Sequence, residues 1–130
     1  MIARIVMAAL AGAVLLPVAA DAQPPAQAPK NECFFTSQLD NWRAAGDRAI
    51  IIKTRANRYY RLDMGARCPA LTFPNPVMVN RFRGASICSP LDWDIRISQG
   101  PGSIAMSCTV SKMTRLSPAE VAALPKGQKP

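Results

Sequence analysis

Arg48-Ala49-Ile50-Ile51-Ile52-Lys53-Thr54, then Arg55-Ala56-Asn57, then Arg58-Tyr59-Tyr60-Arg61-Leu62-Asp63-Met64: this stretch decides the fold. Three consecutive isoleucines bounded by polar residues read as a buried β-strand, since β-branched side chains fit a pleated surface. The second run alternates. Tyr60, Leu62 and Met64 share one face, and Tyr59, Arg61 and Asp63 share the other, as strand geometry requires. The short link contains Asn57, a residue that tolerates turn conformations, so the two runs read as a β-hairpin. Gly65 and Cys68-Pro69 end it.

Outward from the hairpin, the same signals recur. Val77 to Phe82 predicts a strand, with Arg83-Gly84-Ala85-Ser86 turning into Ile87-Cys88. Leu91 to Ser98 predicts another, with Trp93, Ile95 and Ile97 on one face and Asp92, Asp94, Arg96 and Ser98 on the other. Gln99-Gly100-Pro101-Gly102 is a turn. Ala105 to Met113 predicts the last strand, with Met106, Cys108 and Val110 inward. Pattern leaves Ser37 to Gly46, which holds Trp42, open between a short helical turn and an edge strand. Near the end, Ser117 at the N-cap, Pro118 at N1 and Glu120 at N3 specify a short helix, with Leu116 and Val121 placed for a hydrophobic staple and Pro125 as the stop. The expected fold is mainly β: a small antiparallel sandwich or barrel of about five to six strands with one short C-terminal helix and two disulfides.

The start of the chain reads as an export signal. Arg4 precedes an apolar run from Ile5 to Leu16, Pro17 breaks it, and Ala20-Asp21-Ala22 is a small-x-small cleavage site. The run is shorter than the roughly 20 residues a membrane span needs. The expected organisation is a cleaved signal at 1–22, a Pro/Ala/Gln-rich linker at 23–31, one β domain at 32–125 and a frayed polar tail at 126–130. Localisation is then periplasmic or secreted, with no transmembrane segment after cleavage. Arg4 and Asp21 cancel, so cleavage leaves the net charge of +8 unchanged. Export argues against nucleic acid as the partner for that charge and turns attention to anionic envelope components or another envelope protein.

Cys33, Cys68, Cys88 and Cys108 are too far apart in sequence for a redox C-x-x-C or a zinc knuckle. In an oxidising compartment they predict two disulfides. Three pairings exist. The preferred one is Cys33–Cys108 with Cys68–Cys88, the first tying the start of the folded region to its last strand and the second closing the middle.

Chemistry is sparse. The chain has no histidine, which removes hydrolases with a histidine base. Ser111-Lys112 places its side chains on opposite strand faces. Gly100-Pro101-Gly102 lacks the features of a phosphate loop. Asp92 and Asp94 are the one close carboxylate pair, able to share a cation or act as acid and base if a strand presents them on one face, although calcium needs more oxygen ligands than two aspartates supply. No metal ligand set and no cofactor site emerges. The remaining signal is arginine. Arg55, Arg58 and Arg61 cluster on the first hairpin, and Arg81 and Arg83 flank Phe82. Arg43, Arg48, Arg67 and Arg96 add to the count, and convergence of some of these would make a site for phosphate or carboxylate groups. Against it stands the ordinary use of charged side chains to keep exposed strands soluble.

The order and spacing of Cys33-Phe34, Asp47-Arg48, Tyr60-Arg61-Leu62, Cys68-Pro69, Ile87-Cys88 and Leu116-Ser117-Pro118-Ala119-Glu120 resemble a family of small exported proteins of Gram-negative bacteria known only as a domain of unknown function. The resemblance covers roughly Cys33 to Leu124 and departs from the family at Thr109, where proline often follows the last cysteine. It implies one exported domain and carries no catalytic residues. The sequence therefore reads as a non-enzymatic periplasmic binding or accessory domain, for an anionic envelope component. The alternatives are an enzyme working through Asp92 and Asp94 or a recruited metal, and a protein-interaction or inhibitor-like module.

Overall fold

The isoleucine run and the Tyr/Leu/Met run do pair. In the computed structural model, which describes residues 33–130, β3 (Ala49–Thr54) and β4 (Tyr59–Met64) form an antiparallel hairpin. The signal and linker expected over 1–31 lie outside the described residues. Asn57 adopts a left-handed φ of 53° in the turn, the conformation its short polar side chain tolerates. The Asn57 N–H donates to the Thr54 carbonyl at 2.9 Å.

β3 lies inside a four-stranded sheet. β2 (Leu39–Ala44) pairs with its outer side, and β9 (Val110–Arg115) pairs with β4, giving the order β2-β3-β4-β9. A three-stranded sheet has the order β5-β7-β8, from β5 (Val77–Asn80), β7 (Ile95–Ser98) and β8 (Met106–Cys108). A two-stranded ladder joins β1 (Phe34–Phe35) to β6 (Ser86–Ile87). All pairings are antiparallel. The mainly β class holds, and the strand number is corrected: among the described residues, nine short strands in three sheets replace the five or six expected.

The undecided segment after Phe35 contains both elements, a 3-10 turn at Thr36–Gln38 followed by the edge strand β2. The strand expected over Leu91 to Ser98 starts only at Ile95, because Pro90–Asp92 forms a 3-10 turn. The last expected strand is really two. It breaks at Thr109, where the chain leaves β8 in one sheet and enters β9 in the other, with the Thr109 carbonyl accepting from the Gly65 N–H. Met106, expected inward, is 42% exposed.

One core joins the sheets. Ile50, Ile52, Tyr60, Leu62 and Met113 come from the four-stranded sheet, Ile95, Ile97 and Cys108 from the three-stranded sheet, and Phe34 and Ile87 from the ladder. Burial removes apolar surface from water, the main favourable term in folding. Ile51 is fully buried yet lies on the opposite face of β3, outside this cluster, with Arg43 and Arg61 as its cross-strand neighbours. Long arginine stems can cover such a position while their charged ends reach water.

The disulfide pairing is Cys33–Cys88 and Cys68–Cys108, which corrects the preferred Cys33–Cys108 and Cys68–Cys88. The reason is register. Phe34 pairs with Ile87, so Cys33 and Cys88 face each other one step further along the same ladder. Gly65 bonds to Thr109, which brings the chain after β4 beside β8 and Cys68 beside Cys108.

The short helix α1 (Pro118–Ala122) has its capping box: the Ser117 hydroxyl accepts from the Glu120 N–H, and the Glu120 carboxylate accepts from the Ser117 N–H at 2.7 Å. The segment expected to fray after it forms a 3-10 turn at Lys126–Gln128 that lies against β2, across the sheet from β9.

Candidate functional site at a basic end

The five arginines do not all meet. Arg55 and Arg58 sit at the β3–β4 turn. The Arg55 N–H donates to the Gln38 carbonyl at 2.8 Å, and the Thr36 N–H donates to the Ala85 carbonyl at 2.9 Å. The Thr36–Gln38 turn thus bridges the hairpin tip to the loop that carries Arg81 and Arg83. Arg55, Arg81 and Arg83 are all exposed, while Arg58 is half-buried. Phe82, between the last pair, packs edge-on against Trp93 with ring centroids 5.7 Å apart, so the loop is anchored to the core and its arginines face outward.

Arg61 lies elsewhere. Its guanidinium donates to the Asp63 carboxylate at 2.7 Å, two positions along the same strand face. It belongs to the outer surface of the four-stranded sheet and drops out of the candidate set.

The fold adds two cations that the sequence reading did not select. Arg115, at the end of β9, pairs in register with Tyr60, and the Leu116 N–H donates to the Tyr59 carbonyl at 2.9 Å. A cleft of about 290 Å³ between the hairpin turn and α1 is lined by Arg58, Tyr59, Arg115, Leu116, Val121 and Lys129, among others, and no carboxylate lines it. No local signal marks Arg115 or Lys129, because only the β4–β9 register and the path of the tail bring them to this end.

The aspartate pair separates into two structural roles. The Asp92 carboxylate accepts from the Cys88 N–H at 2.8 Å, the Ser89 N–H at 2.8 Å and the Ser89 hydroxyl at 3.2 Å, closing the 3-10 turn. Asp94 lies 3.9 Å from the Arg96 guanidinium on the following strand. They do not lie together on one strand: Asp92 is in the 3-10 turn, and Asp94 comes just before β7. Among the described residues, no group of three or more histidine, cysteine or carboxylate side chains could hold a metal ion.

The hydrogen bonds from Cys88 and Ser89 hold Asp92 below the usual carboxylate range. The Arg67 guanidinium does the same for Asp47, and the Ser117 N–H for Glu120. A carboxylate with a lowered folded-state value contributes stability that is fully present above its ordinary value and is lost as pH falls through the lowered one. The melting temperature is therefore expected to be level from neutral pH down to the ordinary values of 4.5 and 3.8, then to fall. The Asp92→Asn variant should show a shallower acid decline in the same melting series. An unchanged decline would remove Asp92 from this account.

Exposed guanidinium groups on adjoining anchored loops can accept phosphate or carboxylate groups by charge-assisted hydrogen bonds. Among the described residues no helix is long and apolar enough to cross a membrane. No curated protein and no solved structure matches the chain. A family model described as "Family of unknown function" matches residues 1–129, a wider span than the motifs from Cys33 to Leu124 cover.

Proposed function

The chain belongs to the family of unknown function DUF6491, and for it we propose a non-enzymatic binding domain, exported to the periplasm, whose basic end takes a phosphate-bearing anionic component of the envelope. The observation that carries this reading is the exposure of Arg55, Arg81 and Arg83 on loops linked through Thr36–Gln38. The net charge of +8 adds long-range attraction for an anionic surface. Export is supported by the apolar run and small-x-small site of the first 22 residues and by the pairing of all four cysteines. A non-enzymatic role is supported by the engagement of Asp92 in a turn and of Asp94 beside Arg96.

The test is co-sedimentation with phosphatidylglycerol-containing vesicles against phosphatidylcholine alone. Binding to the anionic vesicles should weaken steeply as salt is raised, because exposed charges are screened. Each basic residue near an anionic surface contributes about 1 kcal/mol. The triple variant Arg55→Gln/Arg81→Gln/Arg83→Gln should therefore bind on the order of a hundredfold more weakly. Arg61→Gln should bind as the parent does. Equal binding of the triple variant, or no preference for anionic vesicles, would sink the proposal. Competition by inorganic phosphate separates recognition of the phosphate group from attraction to a lipid surface.

A further inference from the structure

We propose that the outer edge of β2 accepts an extended peptide strand from a partner protein, at a site separate from the basic end. Hydrogen-bond parity decides which backbone groups of β2 face outward. The Ala45 N–H donates to the Ala49 carbonyl at 2.8 Å, and the register pairs Ala44 with Ile50 and Trp42 with Ile52. In an antiparallel ladder, bonded and non-bonded pairs alternate. Trp42 and Ala44 therefore occupy the non-bonded positions, and their backbone N–H and C=O groups point away from β3.

Among the described residues β2 is the edge of its sheet, so those groups have no strand to meet. One is held locally: the Trp42 N–H donates to the Asn41 side-chain oxygen at 2.8 Å. This is a side-chain stand-in for a missing strand, and it blunts an edge that would otherwise invite aggregation. The Trp42 carbonyl and the Ala44 N–H remain directed outward. A bulge between Leu39 and Asn41 bounds the regular edge, leaving Asn41–Ala44, about 13 Å of strand.

These four residues form one side of a cleft of about 400 Å³, and Leu71, Asn75, Pro76 and Gly127 form the rest of its lining. Leu71, Asn75, Pro76 and Gly127 stand beside the edge, so a single extended chain suits the cleft better than the sheet edge of a second folded copy. The occupant is thus an extended segment that pairs through its main chain, with alternate side chains reaching Trp42 and Leu71. Arg43 is the one charged residue in the lining, and no carboxylate is there, so a segment carrying Asp or Glu fits best.

The probe is a random heptapeptide phage library selected on the full chain, after removal of phage that bind the Ala44→Pro variant. Proline at 44 removes the outward N–H and leaves the bonded pairs with β3 in place. Expected are enriched peptides rich in β-branched residues with at least one acid. Their synthetic forms should shift the amide resonances of Trp42 to Ala44 and of Leu71. Affinity should fall at least tenfold for Ala44→Pro and for Arg43→Glu. N-methylation of the peptide at alternate amides should abolish binding in one parity only, a readout that leaves the protein unaltered should Ala44→Pro not fold. No enrichment over the variant, insensitivity to N-methyl parity, or shifts confined to Arg55 and Arg81 would overturn the proposal. None of these outcomes bears on vesicle binding, so the two readings fail independently.

Discussion

Replacing both Cys68 and Cys108 with alanine is expected to lower the unfolding free energy by about 4 kcal/mol. The bond closes a loop of 40 residues, and restricting a loop of that length in the unfolded chain accounts for about that amount. Domains of this kind have about 5–15 kcal/mol in total, so the variant should sit near the edge of stability. Loop length alone ranks Cys33–Cys88, with its separation of 55, as equal or slightly larger. Burial separates the two. Cys68 and Cys108 are 4% and 6% exposed and belong to the core, whereas Cys33 and Cys88 are both exposed. Thiol–disulfide exchange needs access to the sulfur. Titration with dithiothreitol should therefore open Cys33–Cys88 first, while the domain stays folded, and Cys68–Cys108 only as it unfolds. Urea unfolding measures the stability loss, and peptide mapping of alkylated intermediates measures the order. A Cys33–Cys108 peptide from unreduced protein would contradict the fold itself, since it would break the β1–β6 register.

Phe34→Ala should cost about 3–5 kcal/mol, the range for removing a large buried aromatic side chain. Phe34 is 2% exposed, in a strand of only two residues. Its ring lies 4.9 Å from Tyr60 of the four-stranded sheet and 6.2 Å from Trp93, which precedes β7 of the three-stranded sheet. It is therefore a junction between the ladder, the four-stranded sheet and the segment that leads into β7. The neighbouring Phe35 is 59% exposed, and Phe35→Ala should change stability by about 0.5 kcal/mol at most. The contrast between adjacent phenylalanines in one urea titration checks the assignment. Similar losses at both positions would mean that β1 does not present Phe34 to the core.

These two expectations also show where the sequence was readable. The Ile50–Ile52 run, the alternation from Tyr59 to Met64 and the Ser117-Pro118-Ala119-Glu120 cap each depend on residues a few positions apart, and each formed the element expected of it. Asp92 misled because alternation through Trp93, Ile95 and Ile97 looks like a strand from its first residue. The local competition between a strand and a turn went to Pro90 and to the Asp92 carboxylate, which satisfies the N–H groups of Cys88 and Ser89. Of the arginines, the pair on the hairpin turn and the pair around Phe82 could be named from sequence. Their shared end could not, because it depends on hydrogen bonds through Thr36–Gln38.

Read locally, the residues specify a β class, one hairpin, one capped helix and four cysteines spaced for disulfides rather than for a metal. Such features arise from local periodicity, propensity and charge. Long-range packing sets which cysteines pair, where the last strand changes sheets, that Arg61 lies on the outer sheet face and that Arg115 and Lys129 line the cleft beside the hairpin turn. Each of those outcomes rests on register between segments far apart in the chain. A two-residue ladder such as Phe34–Phe35 with Ser86–Ile87 has too little local signal to announce its partner, and the shared core selects it.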